Sequence, residues 1–225
     1  MKEKLDDQGI SMRIAKELKN GDCVNLGIGI GTLVSNFIPP EKTIIFHSEN
    51  GVFGFGRVLT IEEADLMDYN LVNPAGQFVA PHPGMGFCDM AEAFDAIRVG
   101  RVDVTILGAL QVSEKGDLAN WSTDPKGSWG TIGGAMDMPV GAKKVIVGMT
   151  HTTKNGKPKI LKQCSLPLTA PNCVDLIVTD VAVIEVTEGG LVLKEYIPGW
   201  SAADIQAITE PKLIIPPDLK EMKLA

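Results

Sequence analysis

The sequence predicts an α/β protein whose open, mainly parallel sheet is flanked by helices and carries antiparallel hairpin additions. Three observations lead there. Residues 102–107, 144–147 and 175–178 are nearly continuous apolar runs, as strands covered on both faces require. Strand-like and helix-like stretches alternate along the chain, the order that parallel pairing imposes because each crossover needs a helix-length connection. Two further runs bend about turn signals and predict hairpins: residues 111–121 around Ser113-Glu114-Lys115-Gly116, and residues 181–195 around Glu188-Gly189-Gly190.

The first helix is placed by Met12, Ile14, Ala15 and Leu18, which give an apolar face after Ser11 as N-cap, with Asn20-Gly21 closing it. Cys23 to Leu26 read as a strand. Gly27-Ile28-Gly29-Ile30-Gly31-Thr32 then lead into a helical stretch from Leu33, which Pro39-Pro40 stop. Residues 43–47 form a β-branched second strand, followed by a loop from Ser48 to Gly56. Thr60 with Glu63 resembles a capping box for a short helix. Behind Asp89, the residues Met90, Ala93, Phe94 and Ile97 recur at helical spacing, and Gly100 stands at the C-cap. Ser201 to Asp204 open a last short helix. Residues 211–225, rich in proline and lysine, are expected to lie over the surface or a neighbour, and residues 1–225 are read as a single domain.

With 225 residues, 44% of them hydrophobic and 22% charged, the chain can bury a substantial core. A formal charge of -7 argues against nucleic acid or an anionic membrane as partner, because the long-range field repels both. A small anion held by backbone amides is compatible with it. No segment approaches the ~20 apolar residues of a membrane span, and the N-terminal stretch is charged, so a cytoplasmic location is expected. Cys23, Cys88, Cys164 and Cys173 form no CxxC pair and read as reduced thiols. His47, His82 and His151 stand apart without metal-ligand spacing, so no metal is expected.

Three segments carry candidate chemistry. Glu49 follows a buried-type strand directly and precedes Gly51, Gly54 and Gly56, the place where open α/β sheets put ligands. On position alone it is equally a surface-loop carboxylate. The Gly27-Gly29-Gly31 loop joins strand to helix but matches neither GxGxxG nor a Walker loop. Gly133-Gly134-Ala135 offers backbone amides to an anion, or simply a tight crossing of packed elements.

The run HSENGVFGFG at residues 47–56 resembles the B subunit of 3-oxoacid CoA-transferases. VNLGIG at 24–29, VDVTILGALQV at 102–112, KGDLANW at 115–121, GGAMD at 133–137 and GAKKV at 141–145 extend the likeness over nearly the whole chain. It is nearest to bacterial acetate/acetoacetate or butyrate CoA-transferases. Three positions depart from the pattern: Gly31 replaces a proline, Arg57-Val58 replaces Gly-Pro, and Asn73-Pro74-Ala75-Gly76 adds a proline.

The resemblance implies an open α/β fold shared with isomerases of the ribose-5-phosphate type. It also implies that Glu49 is a nucleophile forming an acyl anhydride and then a glutamyl-CoA thioester, a chemistry in which a carboxylate ionised at neutral pH needs no general base. Gly133, Gly134 and Ala135 become oxyanion candidates, Gly27, Gly29 and Gly31 candidates for approaching CoA, and Asn50, Val52, Phe53 and Phe55 acyl-pocket candidates. No permanently bound cofactor is expected, with coenzyme A and its acyl thioester as substrate. A CoA-transferase A (alpha) subunit is the implied partner, in an A2B2 heterotetramer. The alternatives are a sugar-phosphate isomerase or sensor of the same fold, a non-catalytic subunit, and an acyl-CoA hydrolase.

Overall fold

The computed structural model describes residues 2–224. The chain begins with α1 (Asp7–Ala15), β1 (Cys23–Leu26), α2 (Ile30–Leu33), β2 (Ile45–Ser48), β3 (Val52–Phe53), β4 (Gly86–Phe87) and α3 (Met90–Arg98). It continues through β5 (Val104–Gly108), β6 (Gln111–Ser113), β7 (Leu118–Ala119), α4 (Met138–Gly141), β8 (Lys144–Met149) and β9 (Ile160–Leu161). It closes with β10 (Leu176–Thr179), β11 (Ala182–Thr187), β12 (Gly190–Tyr196), α5 (Ala202–Ala207) and β13 (Lys220–Glu221).

The main sheet has the order β13-β12-β11-β10-β8-β5-β1-β2-β3-β4. Its centre, β10-β8-β5-β1-β2, is parallel throughout. Antiparallel strands extend it at both ends, β3 and β4 beyond β2, and β11 and β12 beyond β10. The apolar runs of the sequence supply this centre, where Ile106, Ile146 and Ile177 are fully buried. A small second sheet, β7-β6-β9, contains the first predicted hairpin. The fold is therefore the α/β class expected.

Strand alternation assigns the helices to two faces. A side chain at Gly148 of β8 would collide with Ile14 of α1 and Ile30 of α2, so both helices press on that face. Counting through the register from Gly148 to Gly108, and from Ile106 to Leu26, puts Asn25 on the opposite face, in line with His47. There α3 sits, its Ala93 carbonyl 2.9 Å from the His47 ring.

From β1 the chain steps outward to β2, then returns to β5 on the other side of β1 and continues to β8 and β10. The connections leaving β1 and β5 therefore diverge, and a crevice opens at the carboxyl ends of these strands.

Some elements differ from the sequence expectation. Helix α1 starts at Asp7, because the Asp6 carboxylate accepts from the Gly9 amide at 2.8 Å and acts as N-cap. Ser11 lies inside the helix, its hydroxyl bonded to the carbonyls of Asp7 (2.7 Å) and Ile30 (2.9 Å), which ties α1 to α2. The helix after the glycine loop begins earlier than Leu33, at Ile30, and tightens into a 3-10 turn over Val34–Phe37. The C-terminal segment is built into the sheet: β13 pairs with β12, Ile214 bridges Val192, and Leu213 and Met222 are buried.

Candidate active site

Strand β2 ends at Ser48, and the chain turns through Glu49, Asn50 and Gly51. Gly51 has φ +99°, and a Cβ there would stand 2.2 Å from the Cys88 carbonyl oxygen, so the turn demands glycine. The Ser48 hydroxyl bonds the Asn50 side chain, and the Asn50 amide donates to the Val72 carbonyl at 2.8 Å. These anchors fix the backbone that carries Glu49.

Glu49 faces a cleft of about 420 Å³ at the carboxyl ends of β1, β2 and β5. Gly27 and Ile28 contribute from the end of β1, Leu107 to Leu110 from β5 and its exit, and Thr131 to Ala135 from the loop opposite. The cleft occupies the crevice that the strand order creates. Glu49 Oε2 accepts from Asn25 Nδ2 at 3.1 Å. Near Oε1 the backbone of Gly134 approaches so closely that a Cβ there would lie 3.4 Å from it. Burial pushes the Glu49 carboxyl above its ordinary pKa, while backbone donation at its own residue and the Asn25 amide pull it back.

Of the oxyanion candidates, Gly133 and Gly134 have N–H groups that meet no protein acceptor among the described residues, and Gly133 has φ +57°. The Ala135 N–H is engaged with the Ile132 carbonyl at 3.3 Å, so it is not a free donor. Gly27 lines the cleft, and Gly29 (φ +94°) has open space where a side chain would be. Gly31 is buried in α2, where its missing Cβ admits the Ile106 carbonyl; it packs the fold and does not reach the cleft.

The acyl-pocket candidates are placed elsewhere. Val52 and Phe55 are in the core, Phe55 against Phe46, because β3 turns back along β2 and carries them inward. Phe53 meets the edge of the His47 ring, and Asn50 is exposed. The apolar walls beside Glu49 come instead from Ile28, Leu107, Ile132 and Met138. The three departures from the family pattern lie outside this wall: Gly31 is packed under Ile106, Arg57 pairs with Glu63, and Asn73 holds its own turn through the amides of Ala75 and Gln77.

Sequence reasoning gave Asn25, His47 and Thr105 no role. Asn25 and Thr105 are fully buried and His47 nearly so, and they stand side by side in register on β1, β2 and β5. The signal available was a polar residue inside each of three strands that otherwise read as apolar.

Comparison with known proteins bears on this cleft. Residues 8–207 match the family described as coenzyme A transferase. A probable coenzyme A transferase subunit beta of Bacillus subtilis (strain 168) is 46% identical over 206 residues, 92% of this chain and 93% of the relative. The acetate CoA-transferase subunit beta of Haemophilus influenzae is 46% identical over 216 residues, covering 96% of this chain and 95% of the relative. An acyl-CoA transferase apoenzyme from Escherichia coli O157:H7 superposes with a TM-score of 0.76 at 23% identity, over 98% of this chain and 45% of that one, and shares the fold.

Proposed function

Because this chain belongs to the coenzyme A transferase family, we propose that it is the beta subunit of such an enzyme and moves CoA between an acyl-CoA and a free short-chain or 3-oxo acid through a thioester on Glu49. The observation that carries this reading is the setting of Glu49: a half-buried carboxylate at the crevice, held by the Asn25 amide, in a cleft that Gly133 and Gly134 also line.

In this mechanism the Glu49 carboxylate attacks the thioester carbonyl carbon, the C–S bond breaks and CoA leaves as a thiolate. The acyl-glutamyl anhydride is then attacked at the Glu49 carbonyl by that thiolate, which releases the first acid and leaves glutamyl-CoA. The acceptor acid reverses both steps. Partial desolvation favours attack, since a carboxylate stripped of water is a stronger base. Each addition places negative charge on a carbonyl oxygen, and the Gly133 and Gly134 amides, without a protein acceptor among the described residues, are the donors proposed to receive it; one such donor is commonly worth ~3 kcal/mol. CoA enters past Gly27 and Gly29.

The subunit-beta names of the relatives support an alpha subunit as partner, and an A2B2 assembly is part of the proposal. A cytoplasmic location is part of the proposal; the described residues contain no helix long and apolar enough to cross a membrane. The test is to co-express the chain with its alpha subunit, add acetyl- or acetoacetyl-CoA, treat with borohydride and map the product by mass spectrometry. Reduction at Glu49, absent in Glu49→Ala, is expected. Transfer that proceeds in a sample with no reduced Glu49 overturns the mechanism.

A further inference from the structure

The buried polar row beneath the nucleophile has a complete hydrogen-bond account. Thr105 Oγ1 donates to Asn25 Oδ1 at 3.2 Å. The Asn25 amide carries two hydrogens, and two acceptors stand at 3.2 and 3.1 Å from its nitrogen: His47 Nδ1 and Glu49 Oε2. The other ring nitrogen of His47 lies 2.9 Å from the Ala93 carbonyl, which only accepts. Nε2 therefore holds the proton and Nδ1 presents a lone pair. The ring is further met by Phe53 on β3, and besides His47 itself Glu49 is the one ionisable group in the hydrogen-bonded chain among the described residues.

We propose that His47 is a positioning residue for the transfer reaction: as the neutral Nε2–H tautomer it fixes which way the Asn25 amide faces, and Asn25 in turn aims the Glu49 carboxylate. Turning the amide over would set Asn25 Oδ1 against the Glu49 carboxylate and the His47 lone pair, and would leave Thr105 facing two N–H groups. Each of these contacts is repulsive or unpaired in a buried setting, where an unmade hydrogen bond is expensive. Thr105 on one side and His47 on the other thus admit one amide orientation. Burial, which holds the His47 pKa below its ordinary value, keeps the ring in the required neutral form.

This inference rests on the reading of Glu49 as nucleophile, and its test separates the two. In the complex with the alpha subunit, His47→Leu removes the acceptor, while His47→Gln retains one acceptor and one N–H donor. Borohydride trapping on wild type tests the Glu49 reading alone. If trapping succeeds there, His47→Leu is expected to lower the rate of thioester formation about 10- to 100-fold with little change in KM for acyl-CoA, the loss associated with a misplaced reacting group. His47→Gln is expected to recover most of it. A wild-type rate in His47→Leu, or equal losses in both variants when circular dichroism and assembly are unchanged, overturns the proposal. A measurement on the unmutated side chain needs no folded variant: 15N spectra of the 15N-histidine-labelled complex at neutral pH are expected to show His47 with a bare Nδ1 and a protonated Nε2. A protonated Nδ1 overturns it.

Discussion

As the proposed nucleophile, Glu49 must be ionised and poorly hydrated at once, and these demands oppose each other. Burial raises its pKa above the ordinary 4.5, and Asn25 lowers it by donating to the charged form. Only the carboxylate attacks, so the first half-reaction is expected to slow as pH falls through a pKa above that value, and the Asn25→Leu variant, with burial unopposed, is expected to shift this acid limb to higher pH. Rapid-quench measurement of thioester formation across pH checks both; an unmoved limb in Asn25→Leu refutes the assigned role. A second residue acts by having no side chain. A Cβ on Gly134 would press on Met138 Cε at 2.6 Å and stand 3.4 Å from Glu49 Oε1. The methionine end is flexible and 3.4 Å from Glu49 Oε1 is an ordinary contact distance, so Gly134→Ala is expected to change the unfolding midpoint little and to lower kcat ~10-fold by setting a methyl beside the carboxylate where the substrate carbonyl must approach. Steady-state kinetics beside urea unfolding reads this out. Glu49 and the Gly133-Gly134 pair were legible in the sequence because each sits in a short local motif. Asn25, His47 and Thr105 were not, since register between β1, β2 and β5 joins residues remote in sequence.

At the scale of elements, local signals were read correctly where the cap and the apolar face coincide. Helix α3 begins where the apolar spacing after Asp89 predicts, with Asp89 accepting from Glu92 N at 2.8 Å in a capping box, and Gly100 ends it with φ +71° as expected. Both hairpins formed about the expected turns. Helix α1 was misplaced because its true cap, Asp6, precedes a polar turn with no apolar period, whereas Ser11 has a capping side chain spent on tertiary contact. What holds α1 is also nonlocal. Arg13, nearly buried, forks onto Glu195 of β12 through Nε (2.7 Å) and Nη2 (3.0 Å), and Nη1 reaches Glu17 at 2.9 Å. Removing it leaves Glu195 without a partner among the described residues and Glu17 with Lys144 alone (3.0 Å), so Arg13→Ala is expected to cost ~2 kcal/mol, and Arg13→Lys most of that because an ammonium cannot make the fork. Urea unfolding decides, and a cost below about 1 kcal/mol for Arg13→Ala would show the cluster to be solvated. Gly141→Ala differs from Gly134→Ala. Its Cβ would meet the Ile97 carbonyl oxygen at 2.4 Å, a backbone atom that cannot move aside, so the expected loss is of stability, ~1–3 kcal/mol, as α4 is pushed off α3.

Across the whole molecule, the exit of β8, the end of β10, α5 and the N-terminal segment meet around His151, and this contact is expected to make the fold acid-sensitive. The His151 amide donates to Asp180 at 2.7 Å, its Nδ1 lies 3.0 Å from Thr179 Oγ1, and its Nε2 lies 2.8 Å from Thr209 Oγ1 behind α5. Asp180 in turn binds Lys4 from the N-terminal segment. Thr209 Oγ1 donates to the Ile205 carbonyl at 2.8 Å and so accepts from the ring, which puts the proton on Nε2; Thr179 Oγ1 already accepts from the amides of Val181 and Ala182, and its one hydrogen is shared between the Ala182 carbonyl (3.2 Å) and His151 Nδ1. A second ring proton would point at a hydroxyl with no lone pair left for it. Desolvation pushes the same way, and the His151 pKa falls from 6.5 to about 4. Because the folded pKa is depressed, the unfolded chain binds the proton more readily between these values. The contribution is complete above pH 6.5 and lost as pH falls to about 4. A shift of this size corresponds to ~3 kcal/mol. His151→Gln, which does not titrate, is expected to be less stable at neutral pH and to lose less on acidification; urea titrations between these pH values check it, and parallel slopes for the two proteins would refute it. The same acid range slows the site through Glu49, so the two effects are told apart by chemistry done below the unfolding transition. There the Glu49 limb persists in His151→Gln, since the carboxylate and the distant imidazole share no hydrogen bond.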